Sequence, residues 1–113
     1  MTTSGTGADG TNNTGIGNLA LRNMTTGASN TAVGASSLAN NAASSFNTAV
    51  GASALMLQSY NPGSSFVGAT PAIGAGALYT NNPTSTSNTI HNTAIGYQSL
   101  ASNTIGHANV AVG

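Results

Sequence analysis

Charge is almost absent from this chain. Asp9 and Arg22 are its only acidic and basic residues, beside two histidines, His91 and His107. Charged residues make up 2% of the sequence, against roughly a quarter in ordinary soluble domains. That excludes a basic footprint for nucleic acid, an acidic patch, and electrostatic steering of a charged substrate. There is no cysteine, hence no disulfide framework and no thiolate metal site, which is compatible with any compartment. Long apolar runs are missing too. The longest, Ala54 to Leu57, falls far short of the ~18 residues that a spanning helix needs, so no membrane insertion is expected in this segment. The opening "MTTSGTGADG" has neither the basic nor the apolar region of a signal peptide.

The same scarcity bears on catalysis. One carboxylate cannot furnish an acid–base pair, and the many serines and threonines have no neighbouring base to activate a nucleophile. "GTGADG" is glycine-rich but lacks the lysine and the strand–helix setting of a phosphate loop. His91 and His107 occupy different repeat positions and read as surface or turn residues. The competing reading is a metal held by histidines from three symmetry-related chains. Neither an enzyme, nor a cofactor, nor a metal within one chain is expected.

What remains is mostly Gly, Ala, Ser, Thr and Asn. Composition alone would allow a disordered chain, but the apolar residues, 39% of the total, recur at fixed positions. Residues 30–38 read "NTAVGASSL" and residues 47–55 "NTAVGASAL". Aligned on its glycine, the motif recurs at Gly17, Gly34, Gly51, Gly74, Gly96 and Gly113, with spacings of 17, 17, 23, 22 and 17. The residue before the glycine is Ile16, Val33, Val50, Ile73, Ile95 or Val112. The fourth after it is Leu21, Leu38, Leu55, Leu78 or Leu100. Alanine stands two before it and threonine three before it in most copies, with Pro71 and Val110 as exceptions to the threonine. Asparagine stands four before it, with Thr70 as the exception. The two longer intervals contain "SYNPGSSF" and "TNNPTSTSN", which read as loop insertions at 59–66 and 80–88 on a 17-residue unit.

Each "NTAVG" suits a short strand whose side chains alternate between faces. Thr and Val share one face, Ala and Asn the other. "NVAVG" at the end makes the first face apolar, so that face is the expected interior. Glycine bends the chain after the strand. One unit of 17 residues cannot bury a core alone, because ordering each residue costs about 1–2 kcal/mol and a buried Val or Leu contributes about 1.5–3 kcal/mol. Units therefore must stack. The expectation is an all-β parallel solenoid of five to six coils over residues 13–113, preceded by a leader or cap at 1–12. The sequence ends in mid-repeat at Gly113, which predicts further repeats in the full protein, or assembly around a shared axis.

"NTAIGYQSLASNTIGHANVAVG", residues 92–113, resembles the repeats of YadA-like trimeric adhesin heads and the related repeats of bacteriophage tail fibres. The resemblance extends over most of the chain from Asn13 onward. It implies a left-handed parallel β-roll and three chains side by side, with Val and Ile columns buried within and between them. The implied role is a head or stalk, on a virion or cell surface, that mediates attachment. Two departures from the family stand out: a unit longer than the usual head repeat, and the two insertions.

The repeat residues Val33, Gly34, Leu38, Val50, Gly51, Leu55, Ile73, Gly74, Leu78, Ile95, Gly96 and Leu100 are thus expected to be structural. The asparagine column reads as a ladder of amides stacked along the axis; the alternative is a solvent-facing row that binds sugar hydroxyls. Thr14, Thr31, Thr48 and Thr93 resemble the threonine row of an ice-binding solenoid, a reading that requires the threonine face to be outward. Recognition is expected at the insertions, where loops on a rigid scaffold present Tyr60, Phe66 and nearby Tyr79. The competing reading has Phe66 and Tyr79 plugging the interior. Asn12 and Asn23 begin Asn-X-Thr sequons, relevant only in a glycosylating secretory route. Three functions follow: an extracellular adhesive fibre segment whose partners are itself and a host-surface glycan or protein receptor; a self-assembling filament without a receptor; or an ice- or polysaccharide-binding solenoid.

Overall fold

The computed structural model describes residues 2–3, 10–85 and 91–113. Most of the 1–12 leader and residues 86–88 of the second insertion lie outside them. The described residues form an all-β structure without a helix. Glycine, asparagine and β-branched density, with no sustained 3.6-residue pattern, disfavours helix throughout.

The strands are β1 (Thr2–Thr3), β2 (Asn13–Ile16), β3 (Thr31–Val33), β4 (Ser44–Ser45), β5 (Thr48–Val50), β6 (Phe66–Val67), β7 (Pro71–Ile73), β8 (Thr93–Ile95) and β9 (Val110–Val112). The main sheet runs β1-β2-β3-β5-β7-β8-β9, and every pair from β2 to β9 is parallel. β1 joins β2 antiparallel at one edge. A second, two-stranded parallel sheet pairs β4 with β6. Register follows the repeat: Ala32 faces Ala49, and Val33 faces Val50. Val50 faces Ile73 across the longer interval. The register of the ladder is therefore unchanged across both longer intervals.

Glycine makes that stacking possible. Gly34 and Gly51 adopt φ 130° and 132°, a region that residues with a Cβ rarely enter. A Cβ at Gly34 would lie 2.6 Å from the carbonyl carbon of Gly51 in the next layer. The glycine N–H groups hold the layers together, with Gly51 N donating to Val33 O at 2.7 Å and Gly74 N to Val50 O at 2.7 Å.

The returning segment is also bonded layer to layer. Ser53 N donates to Ala35 O at 2.8 Å in one direction, and Leu55 N to Ala77 O at 3.0 Å in the other. Alternating direction in this way requires left-handed residues at the second and fourth positions after the glycine, such as Ser53 (φ 59°) and Leu55 (φ 52°). Left-handed geometry costs a leucine about 1–2 kcal/mol. The bonds on both sides hold it there, and Leu38, Leu55 and Leu78 are fully buried in return.

The sequence expectation about the interior is overturned here. The inward face carries Ala32, Ala49, Ala72 and Ala94, all at 0% exposure, together with the asparagines. The Thr/Val face points outward: Ile16, Val50, Ile73 and Ile95 are exposed, Val33 is half-buried, and Val110 and Val112 reach 75% and 74%. The reason is width. The molecule measures 36 × 30 × 16 Å, and two backbone walls about 10 Å apart leave room for one layer of side chains. Leucines from the return segment fill that layer, so the strand opposite can contribute only methyl groups.

Candidate functional site

The interior holds a polar spine beside the Ala–Leu core. Strands β3, β5, β7 and β9 are each entered through an inward-turning corner residue whose backbone N–H is bonded by a side chain and not by the sheet. Asparagine from the adjacent layer supplies that side chain. Asn13 Oδ1 accepts from Asn30 N at 2.9 Å and from Asn30 Nδ2 at 3.1 Å. Asn30 Oδ1 accepts from Asn47 N and Nδ2 in the same way, at 2.9 and 3.0 Å. The remaining amide proton goes across the interior, from Asn13 to Gly27 O and from Asn30 to Ser44 O, both at 2.9 Å. Asn92 and Asn109 repeat the arrangement, and Thr70 interrupts it with a backbone bond to Asn47 Oδ1 at 3.3 Å. The column is an amide ladder, buried and structural, rather than a row offered to sugars.

A second polar column, not evident from the repeat motif, is formed by the buried Asn41, Gln58 and Asn81 and the half-buried Asn103, each the seventh residue after its repeat glycine. Asn41 Nδ2 donates to Ser44 O at 2.9 Å, Gln58 Nε2 to Ser44 Oγ at 3.0 Å, and Asn103 Nδ2 to Asn81 Oδ1 at 3.1 Å. Extending the glycine alignment three residues beyond the leucine would have revealed it. Met24 occupies the same position in the first layer and joins the core instead.

Function therefore has to be sought on the outside. One surface is the outward sheet face. Its apolar row runs Ile16, Val33, Val50, Ile73, Ile95, Val112, beside a row of half-buried Thr14, Thr31, Thr48, Pro71 and Thr93. Neither row carries a charge. Scattered apolar residues on a surface are ordinary, but a continuous stripe marks an interaction site.

The other surface is the corner where both insertions leave. Ser59 in the first and Asn82 in the second are both the eighth residue after their repeat glycine and are tied together there: Asn82 Oδ1 accepts from Ser59 N and Tyr60 N, each at 2.9 Å, and Asn82 Nδ2 donates to Ser59 Oγ at 3.2 Å. The first insertion returns as β6 on β4, with Phe66 N donating to Ala43 O at 3.1 Å. Phe66 is thus a strand residue, and the loop ends one residue earlier than its sequence suggests. Tyr60 and Phe66 meet edge to face, centroids 5.6 Å apart at 69°, a favourable aromatic geometry. Tyr79 stands apart from that pair, in the wall of a separate cleft. Neither Phe66 nor Tyr79 plugs the interior; both are half-buried at the surface. Phe46 and Tyr97, which the sequence reading passed over, are more exposed than any of the three.

His91 and His107 are exposed, as are the sequon residues Asn12 and Asn23. No group of three metal-capable side chains forms among the described residues, and no helix of theirs is long and apolar enough to cross a membrane. Comparison with protein-family models, with curated proteins and with solved structures finds no match to this chain.

Proposed function

We propose that this chain is a structural segment of an extracellular adhesive fibre, a parallel β-roll that assembles as a homotrimer on a virion tail or bacterial surface. The observation that carries the reading is the outward Val/Ile stripe. An uncharged apolar row, repeated in every layer, is costly to leave in water at about 25 cal/mol per Å². A second and third copy bring the same row, and closed rotational symmetry lets all three be covered at once. The motif resemblance of residues 92–113 supports the same assembly and left-handed winding. Attachment, to a glycan or a protein receptor, then belongs to the insertion corner, which lies off the sheet face.

Light scattering on the purified chain tests this. The expected mass is that of three chains, and Val33→Lys together with Val50→Lys should reduce it to one. A monomeric parent protein overturns the fibre reading, and an open-ended polymer turns it into the receptor-free filament.

A second reading has one specific observation behind it: the threonine row is outward rather than inward. The same face would then meet ice or a polysaccharide surface instead of other copies. The two readings compete for one surface. Inhibition of ice recrystallisation by a monomer, lost in Thr31→Lys, supports the second; a trimer without such activity removes it.

A further inference from the structure

Tyr79 lines a cleft of about 250 Å³ with Gly76, Thr80, Gln98, Ala101 and Ser102. Two departures from the repeat meet at this cleft. The second position after the repeat glycine is Leu19, Ser36 and Ser53 in the first three layers and Gln98 in the fifth, but Gly76 in the fourth. All five share a left-handed backbone, φ 53° to 69°, so the site lacks a side chain without differing in backbone. Tyr79, the fifth residue after its glycine, stands where the next layer has only Ala101. The missing side chain and the one large ring, in the same layer, leave a hollow bounded by an aromatic wall.

The lining is uncharged, which gives no purchase to a phosphate, carboxylate or ammonium group. It is mainly apolar, yet the Tyr79 hydroxyl, the Gln98 amide and the Ser102 hydroxyl have no hydrogen-bond partner among the described residues. Thr80 differs, because its hydroxyl proton is engaged by Ala101 O at 2.8 Å and Asn103 O at 3.1 Å. That oxygen still accepts. Gln98 and Ser102 are exposed at the rim. A small cleft with one aromatic wall and a few convergent neutral donors and acceptors suits an amphipathic neutral ligand. Its volume lies below the about 300–1,000 Å³ of typical small-molecule sites, which limits the occupant to a single ring.

We propose that this cleft binds one neutral pyranose ring, with the C–H face of the sugar against Tyr79 and its hydroxyls on Gln98, Ser102 and the Thr80 oxygen. The inference deepens the attachment reading and rests on it for biological purpose, but the cleft is built from return segments and not from the sheet face. A sugar can occupy it in a monomer or a trimer.

The test is NMR titration of the full chain with the methyl glycosides of glucose, galactose and mannose, and with N-acetylglucosamine. At least one should shift the Tyr79 ring and Gly76 amide resonances saturably, while glycerol at equal concentration does not. Gly76→Ser is the decisive variant. Serine already occupies this position and backbone geometry in two other layers, and its Cβ would meet nothing closer than the flexible Gln98 Cγ, at 3.3 Å. It should fold normally and weaken sugar binding at least about tenfold, which is about 1.4 kcal/mol; Tyr79→Ala should do the same, and Tyr60→Ala should not. Absence of any saturable shift, an equal response to glycerol, or undiminished binding by Gly76→Ser would overturn the proposal. The outcome is separable from the assembly test: a sugar-binding monomer retains the cleft and removes the trimer, and a trimer deaf to all four sugars does the reverse.

Discussion

The two faces of the main sheet are built from the same few residues of each repeat, yet they obey opposite rules. Inward, Ala49 and Asn47 are buried; outward, Val50 and Thr48 stand outside the core cluster. In most half-buried sheets the β-branched residue lies inside and the small polar one outside. Here a narrow interior inverts that order. Size complementarity with the leucines and the need to satisfy corner amides outweigh side-chain hydrophobicity in orienting these strands.

The largest effect is expected from removing the geometry that both faces share. Gly51→Val places a Cβ 2.5 Å from the Gly74 carbonyl carbon at φ 132°. It should abolish folding, a loss beyond about 4 kcal/mol, seen as disappearance of the β-sheet circular dichroism signal. Retained β-structure would mean that the layers are not stacked glycine on glycine.

Next in size is the polar spine. Asn30→Ala strands the Asn47 N–H and leaves the Asn13 carbonyl with less than its full set of bonds inside the protein. An unsatisfied buried group costs about 1–3 kcal/mol, so urea denaturation should register about 2–4 kcal/mol. The outer wall offers the matched control, because Asn23 Nδ2 donates to Asn40 Oδ1 at 3.0 Å in an exposed position. Asn40→Ala should cost about 0.5 kcal/mol or less. Equal losses would show that the interior ladder is as wet as the exterior one.

The smallest effects come from exchanging neighbours across the sheet. Ala49→Val adds two methyl groups to a filled layer and should destabilise by about 1–3 kcal/mol. Val50→Ala removes two from the outside and should change the stability of the isolated chain by no more than about 0.5 kcal/mol. The opposite ranking in thermal melts would restore the register in which valine lies inside. In a trimer, Val50→Ala would in addition loosen the assembly, visible as a mass that falls on dilution.

Much of this was legible in the residues. The glycine column at Gly34, Gly51, Gly74 and Gly96 announced a unit and located the strands of the parallel ladder, β2, β3, β5, β7, β8 and β9. The leucine column announced the core, and the asparagines their ladder. Insertions showed themselves as breaks in spacing. Several things were not legible. The period-two pattern sorts side chains into two sets without saying which is inside, and the apolar Val110 and Val112 pointed the wrong way. The zipper of Phe66–Val67 onto Ser44–Ser45 joins residues 22 apart that share no motif. The cleft beside Tyr79 depends on an absence, a glycine in a column of larger residues, which becomes a hollow only when layers lie on one another.

Periodicity follows from the residues alone: a fixed backbone requirement at each glycine, and a need for neighbours because one layer cannot bury a core. Those constraints are local or repeat at a constant interval, so one copy of the pattern displays them. Which face became interior, and which surfaces stayed outside, was settled by packing between the two walls. That choice depends on the distance between two walls, set by leucines from one wall meeting alanines from the other.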